Sequence, residues 1–372
     1  MRIPSAKPYF EDIDAILEDV RTILTSGRLI LGPYTKKFEE LFAKDTGVKY
    51  AIATSSCTSA MEISMRYLDV KDREVIVPAN TYIACSNSVI YAGGKPVFVD
   101  IAPDSYCIDY EDVLNKVTPK AKVVMAVHIG GLPVPEISAL KEICQEHGLF
   151  LLEDAAHAHG AMIDGMKVGS LGDIGCFSFY PTKIMTTCVG GMITTNNEEL
   201  RNFAVSLRHH GQNEALDKVI NPGGNDWLMD EIGACIGIYQ LERLEQNISK
   251  RNQLAQRYMR GLDKLGISYY PIPKHIRHGY YKFLATLNKD IDRDRFKEVL
   301  RSKHGVEIGV IYPVPLNREP IYESLGYKPG SCPVAEEVLK HQISLPMYVQ
   351  MNDADVDYVL ECLEAEITSW SE

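Results

Sequence analysis

"YAIATSSCTSAMEISMRYL", residues 50–68, carries a continuous apolar run into a helical pattern through a cluster of hydroxyl side chains. A run such as "YAIAT" (50–54) reads as a strand buried on both faces, and "TSAMEISMRYL" as the helix that covers it. The pairing repeats along the chain. Further β-rich runs are "EVIVPA" (74–79), "PVFVDI" (96–101), "KVVMAVH" (122–128), "LFLLED" (149–154), "IGCFSF" (174–179) and "GMITT" (191–195). Helical patterns such as "ISALKEICQEHG" fall between several of them. Seven apolar strands alternating with helices predict an α/β fold whose largely parallel sheet is covered on both faces. Ligands bind such sheets at the carboxyl ends of the strands, so the polar residues just after each run are where chemistry belongs.

Upstream, "FEDIDAILEDVRTILTSG" and "GPYTKKFEELFAKDTG" have helical periodicity, each ending on glycine. Downstream, residues 227–265 read as one long helix leading out of the sheet domain. Beyond it "YYPIPKH", "YYKFLATL", "GVEIGVIYPVPL" and "DADVDYVLECLEAEI" suggest a smaller α+β domain. We therefore expect a large domain over residues 1–250 and a small one over 251–372.

The formal net charge of −11 argues against a nucleic-acid-binding surface. No apolar run approaches the roughly 18 residues of a membrane span, and the N-terminal residues lack the features of a secretion signal. Nine scattered cysteines without CxxC pairs read as reduced thiols of a cytoplasmic protein, and no spacing suggests a metal site. His209 and His210 read equally well as surface residues or as neighbours of a substrate.

Several strand ends carry polar residues of interest. Lys183, in "FSFYPTKIMTTCVGG" (177–191), stands just past a strand end, where a lysine is either solvated or serves as an amine nucleophile, for instance in a Schiff base with pyridoxal phosphate (PLP). Glu153 and Asp154 end a buried run. A carboxylate there needs a positive partner, such as a protonated pyridine nitrogen, unless it caps the next helix. At 4 Å and an effective dielectric near 20, the pairing is worth roughly 4 kcal/mol. The Ser55–Ser59 hydroxyls at a helix start suit a phosphate or ordinary capping, and Tyr82 suits ring stacking or the core.

These segments, in this order and spacing, resemble the DegT/DnrJ-type PLP-dependent sugar aminotransferases of the aspartate aminotransferase superfamily. The resemblance extends from "SGRLILGPYTKKFEELFAKDTGVKYAIATSSCTSAMEI" through "LLEDAAHAHGA" and "VGSLGDIGCFSFYPTKIMTTCVGGMITTN" to "LPMYVQMNDADVDYVLECL". It implies a fold-type-I transferase with a mostly parallel seven-stranded sheet and a smaller C-terminal α+β domain. It also implies that Lys183 holds the cofactor and shuttles the proton, that Asp154 pairs with the ring nitrogen, and that Tyr82 stacks on the ring. Thr58, the Ser59 amide and Ser178 would hold the phosphate. His157 replaces a common glutamine, introducing a group that ordinarily titrates near neutrality. Asp226, Trp227 and Leu228 replace a common Asn-Tyr-Arg, so Asn225 is expected to reach the phosphate across a dimer interface. Ile311 replaces a histidine before Tyr312 on a strand of the substrate side.

The implied reaction moves an amino group from L-glutamate onto PLP, giving pyridoxamine phosphate (PMP), and then onto a keto group of a nucleotide-linked sugar. A homodimer with shared active sites is implied as well. Rival readings are amination of a free cyclitol ketone, aminohydroxybenzoate synthesis, a PMP-dependent dehydratase, against which Lys183 argues, and a non-catalytic sensor.

Overall fold

The structure is a computed structural model that describes residues 2–213 and 218–371. The seven apolar runs become β1 (Tyr50–Thr54), β2 (Glu74–Pro78), β3 (Lys95–Val99), β4 (Ala121–Val127), β5 (Phe150–Asp154), β6 (Ile174–Ser178) and β7 (Gly191–Thr195). They form one sheet in the order β1-β7-β6-β5-β4-β2-β3. Only β7 runs against its neighbours, pairing antiparallel with β1 and β6. The carboxyl ends of β1 and β6 therefore meet the start of β7, with both Thr54 and Ser178 in register with Gly191. That junction is where the site forms.

Four helices precede or interleave the first strands: α1 (Ile13–Ser26), α2 (Pro33–Thr46), α3 (Cys57–Tyr67) and α4 (Ile83–Tyr91). The stretch read as one helix over 227–265 is two, Glu231–Glu242 and Leu244–Leu265, and the first starts only after Asp230, whose carboxylate caps the Gly233 amide at 2.7 Å. The break falls at Arg243, whose guanidinium donates to both carboxylate oxygens of Asp12 at 2.8 and 3.1 Å. This contact with the chain before α1 leaves no mark in the helical periodicity.

Two hydrophobic cores are present. The larger lies around the seven-stranded sheet; the smaller contains Leu254, Tyr258, Phe283, Phe296, Ile343 and Val359. The expected boundary at residue 250 falls within Leu244–Leu265, whose Leu244 and Ile248 belong to the first core and whose Leu254 to Leu262 belong to the second. The cores do not otherwise follow that division. Ile3 belongs to the second core, joined to Val306 by a parallel bridge, while Leu316, Tyr322 and Leu339 belong to the first. "GVIYPVPL", read as a strand, is an extended stretch outside any regular strand, tied to the sheet Phe283–Thr286/Gln342–Leu345 by the single bridge Gly309–Ser344. Pro313 and Pro315 lack the N–H that a continued ladder needs.

Candidate active site

The loops after β1, β2, β5 and β6 converge, together with Tyr281, Lys282 and Tyr312 from the C-terminal part, around a cavity of about 430 Å³. Gly191 makes the convergence sterically feasible. A β-carbon there would lie 2.3 Å from the Ser56 carbonyl carbon, so β7 starts in direct contact with the loop that opens α3.

Lys183 sits in the turn after β6, its backbone N–H donating to the Tyr180 carbonyl at 2.9 Å and its Nζ lying 4.8 Å from the Tyr281 ring centre. Burial lowers its amine to about 8 against the opposing pull of the Asp154 carboxylate. A lysine so placed carries an appreciable neutral fraction near physiological pH, which a nucleophilic amine requires.

Asp154 and Glu153 divide the two faces of β5, as neighbours in a strand must. Glu153 is fully buried and turned from the cavity. It accepts the Gly169, Leu171 and Gly172 amides, each at 2.7 Å, and lies 3.0 Å from His128 Nε2. Asp154 faces the cavity, with Oδ1 accepting the Ala156 amide at 3.0 Å and Oδ2 accepting the Cys85 thiol at 2.9 Å. Burial and the neighbouring carboxylate hold the Cys85 thiol protonated, well above its ordinary value, so it acts as a donor. This keeps Asp154 an oriented carboxylate, suited to a protonated ring nitrogen.

The α3 terminus offers an anion site. Ser56 and Ser59 form a reciprocal capping box, with Ser59 N–H donating to Ser56 Oγ at 3.1 Å and Ser56 N–H donating to Ser59 Oγ at 3.0 Å. Both the amide and the hydroxyl of Ser59 are thus engaged within the loop, and Ser59 does not line the cavity. The Cys57 and Thr58 amides, first in the helix, have no intrahelical acceptor. Both residues line the cavity, as does Ser178.

His157 is buried, stacks on Tyr281 with ring centres 4.4 Å apart, and accepts the Gly130 amide at Nδ1 over 3.4 Å. Burial, together with the Lys183 and Lys282 charges, pushes it well below its ordinary value. The expectation that this histidine brings a titration near neutrality is therefore corrected: the ring stays neutral. Tyr82 lines the mouth, 60% exposed, its ring 6.2 Å from that of Tyr312. Asn225 is not in the cavity; it is exposed, and its Oδ1 accepts the amide of Asp226 at 2.8 Å. Its neighbour Trp227 does touch the site loop, its carbonyl accepting the Ser55 amide at 2.8 Å.

Of the residues singled out from sequence, Thr58, Tyr82, Asp154, His157, Ser178 and Lys183 come together here, and Ser59 and Asn225 stand outside the lining. Sequence reasoning missed Cys85, Thr182, Tyr281 and Lys282. "YYKFLATL" gave only a strand signal, and nothing in its pattern ties it to residues a hundred positions earlier. The Thr182 and Tyr281 hydroxyls, 3.0 Å apart, make that tie. Among the described residues, no group of His, Cys, Asp and Glu has the geometry of a metal site.

The set fits PLP: an amine for its aldehyde, a carboxylate for its ring nitrogen, and free helix-terminal amides with hydroxyls for its phosphate. Known proteins give an independent view. The dTDP-3-amino-3,4,6-trideoxy-alpha-D-glucose transaminase of Micromonospora megalomicea subsp. nigra is 33% identical over 359 residues, 95% of each chain. The GDP-perosamine synthase of Caulobacter vibrioides is 32% identical over 370 residues, 98% of each chain. Among solved structures, a putative sugar aminotransferase of Streptococcus pneumoniae, Spr1654, is known in PMP and PLP forms. Its PMP form superposes with a TM-score of 0.93 at 27% identity, covering 99% of this chain and 98% of that one. The sequence pattern of one family matches residues 11–364. With likeness over that span, and one cavity lined by both Lys183 and Asp154, the chain belongs to the DegT/DnrJ/EryC1/StrS aminotransferase family, whose enzymes use PLP.

Proposed function

We propose that this chain takes an amino group from L-glutamate and delivers it to a keto group of a nucleotide-linked sugar. The observation that carries the reading is the pairing of a half-buried Lys183 amine, lowered to about 8, with the oriented Asp154 carboxylate in one cavity. When bound, PLP supplies the electron sink that stabilises charge on the carbon losing its proton. Asp154 keeps the ring nitrogen protonated, with Cys85 and the Ala156 amide fixing the carboxylate's direction. Lys183 Nζ holds the cofactor between turnovers, and once free accepts and returns the substrate proton. The Cys57 and Thr58 amides, with the Thr58 and Ser178 hydroxyls, take the phosphate, while Tyr82 and His157 bound the ring.

The nucleotide-sugar acceptor follows the relatives, one a transaminase named for a dTDP-linked amino sugar and the other a GDP-perosamine synthase. A homodimer supplies the rest of the site in this reading: Tyr82, Tyr180 and Val189, each more than half exposed at the mouth, are the apolar surface a second copy covers. Asn225 reaches the phosphate of that copy's site. Among the described residues no helix is long and apolar enough to cross a membrane, and none of the nine cysteines forms a disulfide, in keeping with a cytoplasmic enzyme.

The absorption spectrum of the PLP-loaded protein tests the reading. A visible band present in wild type, absent in Lys183→Ala and bleached by L-glutamate is the expected result. A PLP-loaded protein with no such band would remove the enzymatic reading. Regeneration of the band by nucleotide-linked ketosugars, and not by a free cyclitol ketone, identifies the acceptor.

A further inference from the structure

The cavity holds a second lysine. Lys282 stands immediately before the strand Phe283–Thr286, on the face opposite Phe283, which is buried in the second core. Its backbone N–H donates to the Gly130 carbonyl at 3.0 Å, which fixes where the side chain starts. Its Nζ lies 5.3 Å from the centre of the Tyr281 ring, the same ring that Lys183 approaches to 4.8 Å. Two ammonium-bearing side chains thus reach one aromatic side chain in one cavity.

Among the described residues, no carboxylate lies within ion-pair distance of Lys282 Nζ. The acid that favours its charge, Glu307, accepts the backbone amide of Ser5 at 3.1 Å. Burial, then repulsion from Arg251 and Lys183, lowers the Lys282 amine to about 8, which still leaves it mainly cationic at neutral pH. A partly buried cation without a partner is costly, and its place in the lining of the cavity points to an anion supplied from outside. The cofactor's own charges are provided for elsewhere, its phosphate by the α3 terminus and its ring nitrogen by Asp154.

We infer that Lys282 is the cation that receives a carboxylate of the amino donor. The geometry favours this anion over the diphosphate of a nucleotide sugar. The α-carboxylate of an amino acid is two bonds from the nitrogen that must reach the position of the Lys183 amine, whereas a sugar ring separates a diphosphate from the carbon being aminated. A cation sharing one aromatic neighbour with Lys183 suits the nearer charge. The inference rests on the transamination reading and adds to it the residue that selects an anionic donor.

Calorimetric titration of the PLP-loaded protein with glutarate, a dicarboxylate without an amine, isolates binding from chemistry. UDP and GDP are titrated in parallel, and wild type is compared with Lys282→Gln and Lys282→Arg. Glutarate affinity is expected to fall about tenfold or more in Lys282→Gln, as for loss of one charge-assisted hydrogen bond, and to be largely kept in Lys282→Arg. Affinity for the nucleoside diphosphates, the visible band and the melting temperature should all stay near wild type. Equal glutarate affinity in wild type and Lys282→Gln, no glutarate binding by wild type, or selective loss of nucleoside diphosphate affinity would each overturn the assignment. Failure of the transamination reading shows separately, as a wild-type band that L-glutamate does not bleach.

Discussion

Lys183 shows how one side chain is set for chemistry at the expense of stability. Its amine, about 8 in the folded protein and 10.5 in a free chain, binds fewer protons in the native state than in the unfolded state between those values. Its contribution is therefore least unfavourable above 10.5, worsens as pH falls from 10.5 to 8 and levels off below, so the cofactor-free protein gains stability from pH 8 upwards. Lys183→Met removes that slope and should raise the melting temperature of the cofactor-free protein at pH 7, on the order of 2 °C. The same value sets the rate of cofactor capture. Stopped-flow mixing of cofactor-free protein with PLP should show the visible band forming about tenfold more slowly for each pH unit below 8, as the neutral amine becomes scarcer. A rate that is flat from pH 6 to 8 would contradict the lowered value. Lys183 and Asp154 stood out in the sequence as polar residues at strand ends, the one also readable as a solvated lysine and the other as a helix cap, and the resemblance along the whole chain decided between the readings. Cys85 and Lys282 did not stand out, since a cysteine in an apolar helix and a lysine at a strand start are ordinary features until the fold brings them into the cavity of Asp154 and Lys183.

Among the elements, α2 depends on a residue far from it in sequence. Its N-cap is Gly32, which has no side chain to cap with, and Pro33 opens the helix. Glu231, fully buried at the start of the helix Glu231–Glu242, supplies the cap instead. It accepts the Gly32, Tyr34 and Thr35 amides at 3.0, 2.9 and 2.9 Å, and also the Thr35 hydroxyl. A β-carbon on Gly32 would lie 2.3 Å from the Glu231 carboxylate, so the contact requires glycine there. An acid at a helix N-terminus is favourable, and its loss would strand several buried donors. Glu231→Ala should lower unfolding free energy by about 3 kcal/mol or more, read as a lower urea midpoint at unchanged slope. A loss below about 1 kcal/mol would mean that water reaches these amides. The seven strands were readable to within one or two residues, because burial on both faces leaves continuous apolar runs. The direction of β7 was not, since its run looks like the parallel ones and only its pairing with β1 and β6 distinguishes it.

At the scale of the whole molecule, the first helix leaves an apolar face uncovered by this chain. Helix α1 buries Ile16 and Ile23 against the protein, yet its outer face presents Ile13, Leu17 and Leu24, each more than half exposed, followed by Leu29 and Ile30. A helix apolar on two faces is one with two partners. Sequence periodicity marked Ile13, Ile16, Leu17, Val20 and Ile23 together as one amphipathic set, and could not separate the residues that face this chain from those that face outward. In the proposed homodimer a second copy is the second partner, and it also covers the mouth of the cavity. Sedimentation equilibrium should therefore give twice the chain mass of 41.6 kDa at micromolar concentration. Introducing charge on the outward face, with Leu17→Asp and Leu24→Asp together, should shift the protein to monomer while far-ultraviolet circular dichroism stays unchanged, because neither side chain belongs to either core. The monomer should then bind PLP more weakly than wild type, since Asn225 can reach a phosphate only from a neighbouring copy in the proposed arrangement. A wild-type chain that sediments as a monomer at these concentrations would remove the dimer. A monomeric variant with undiminished affinity for PLP would instead keep the dimer and show that each chain holds its cofactor alone.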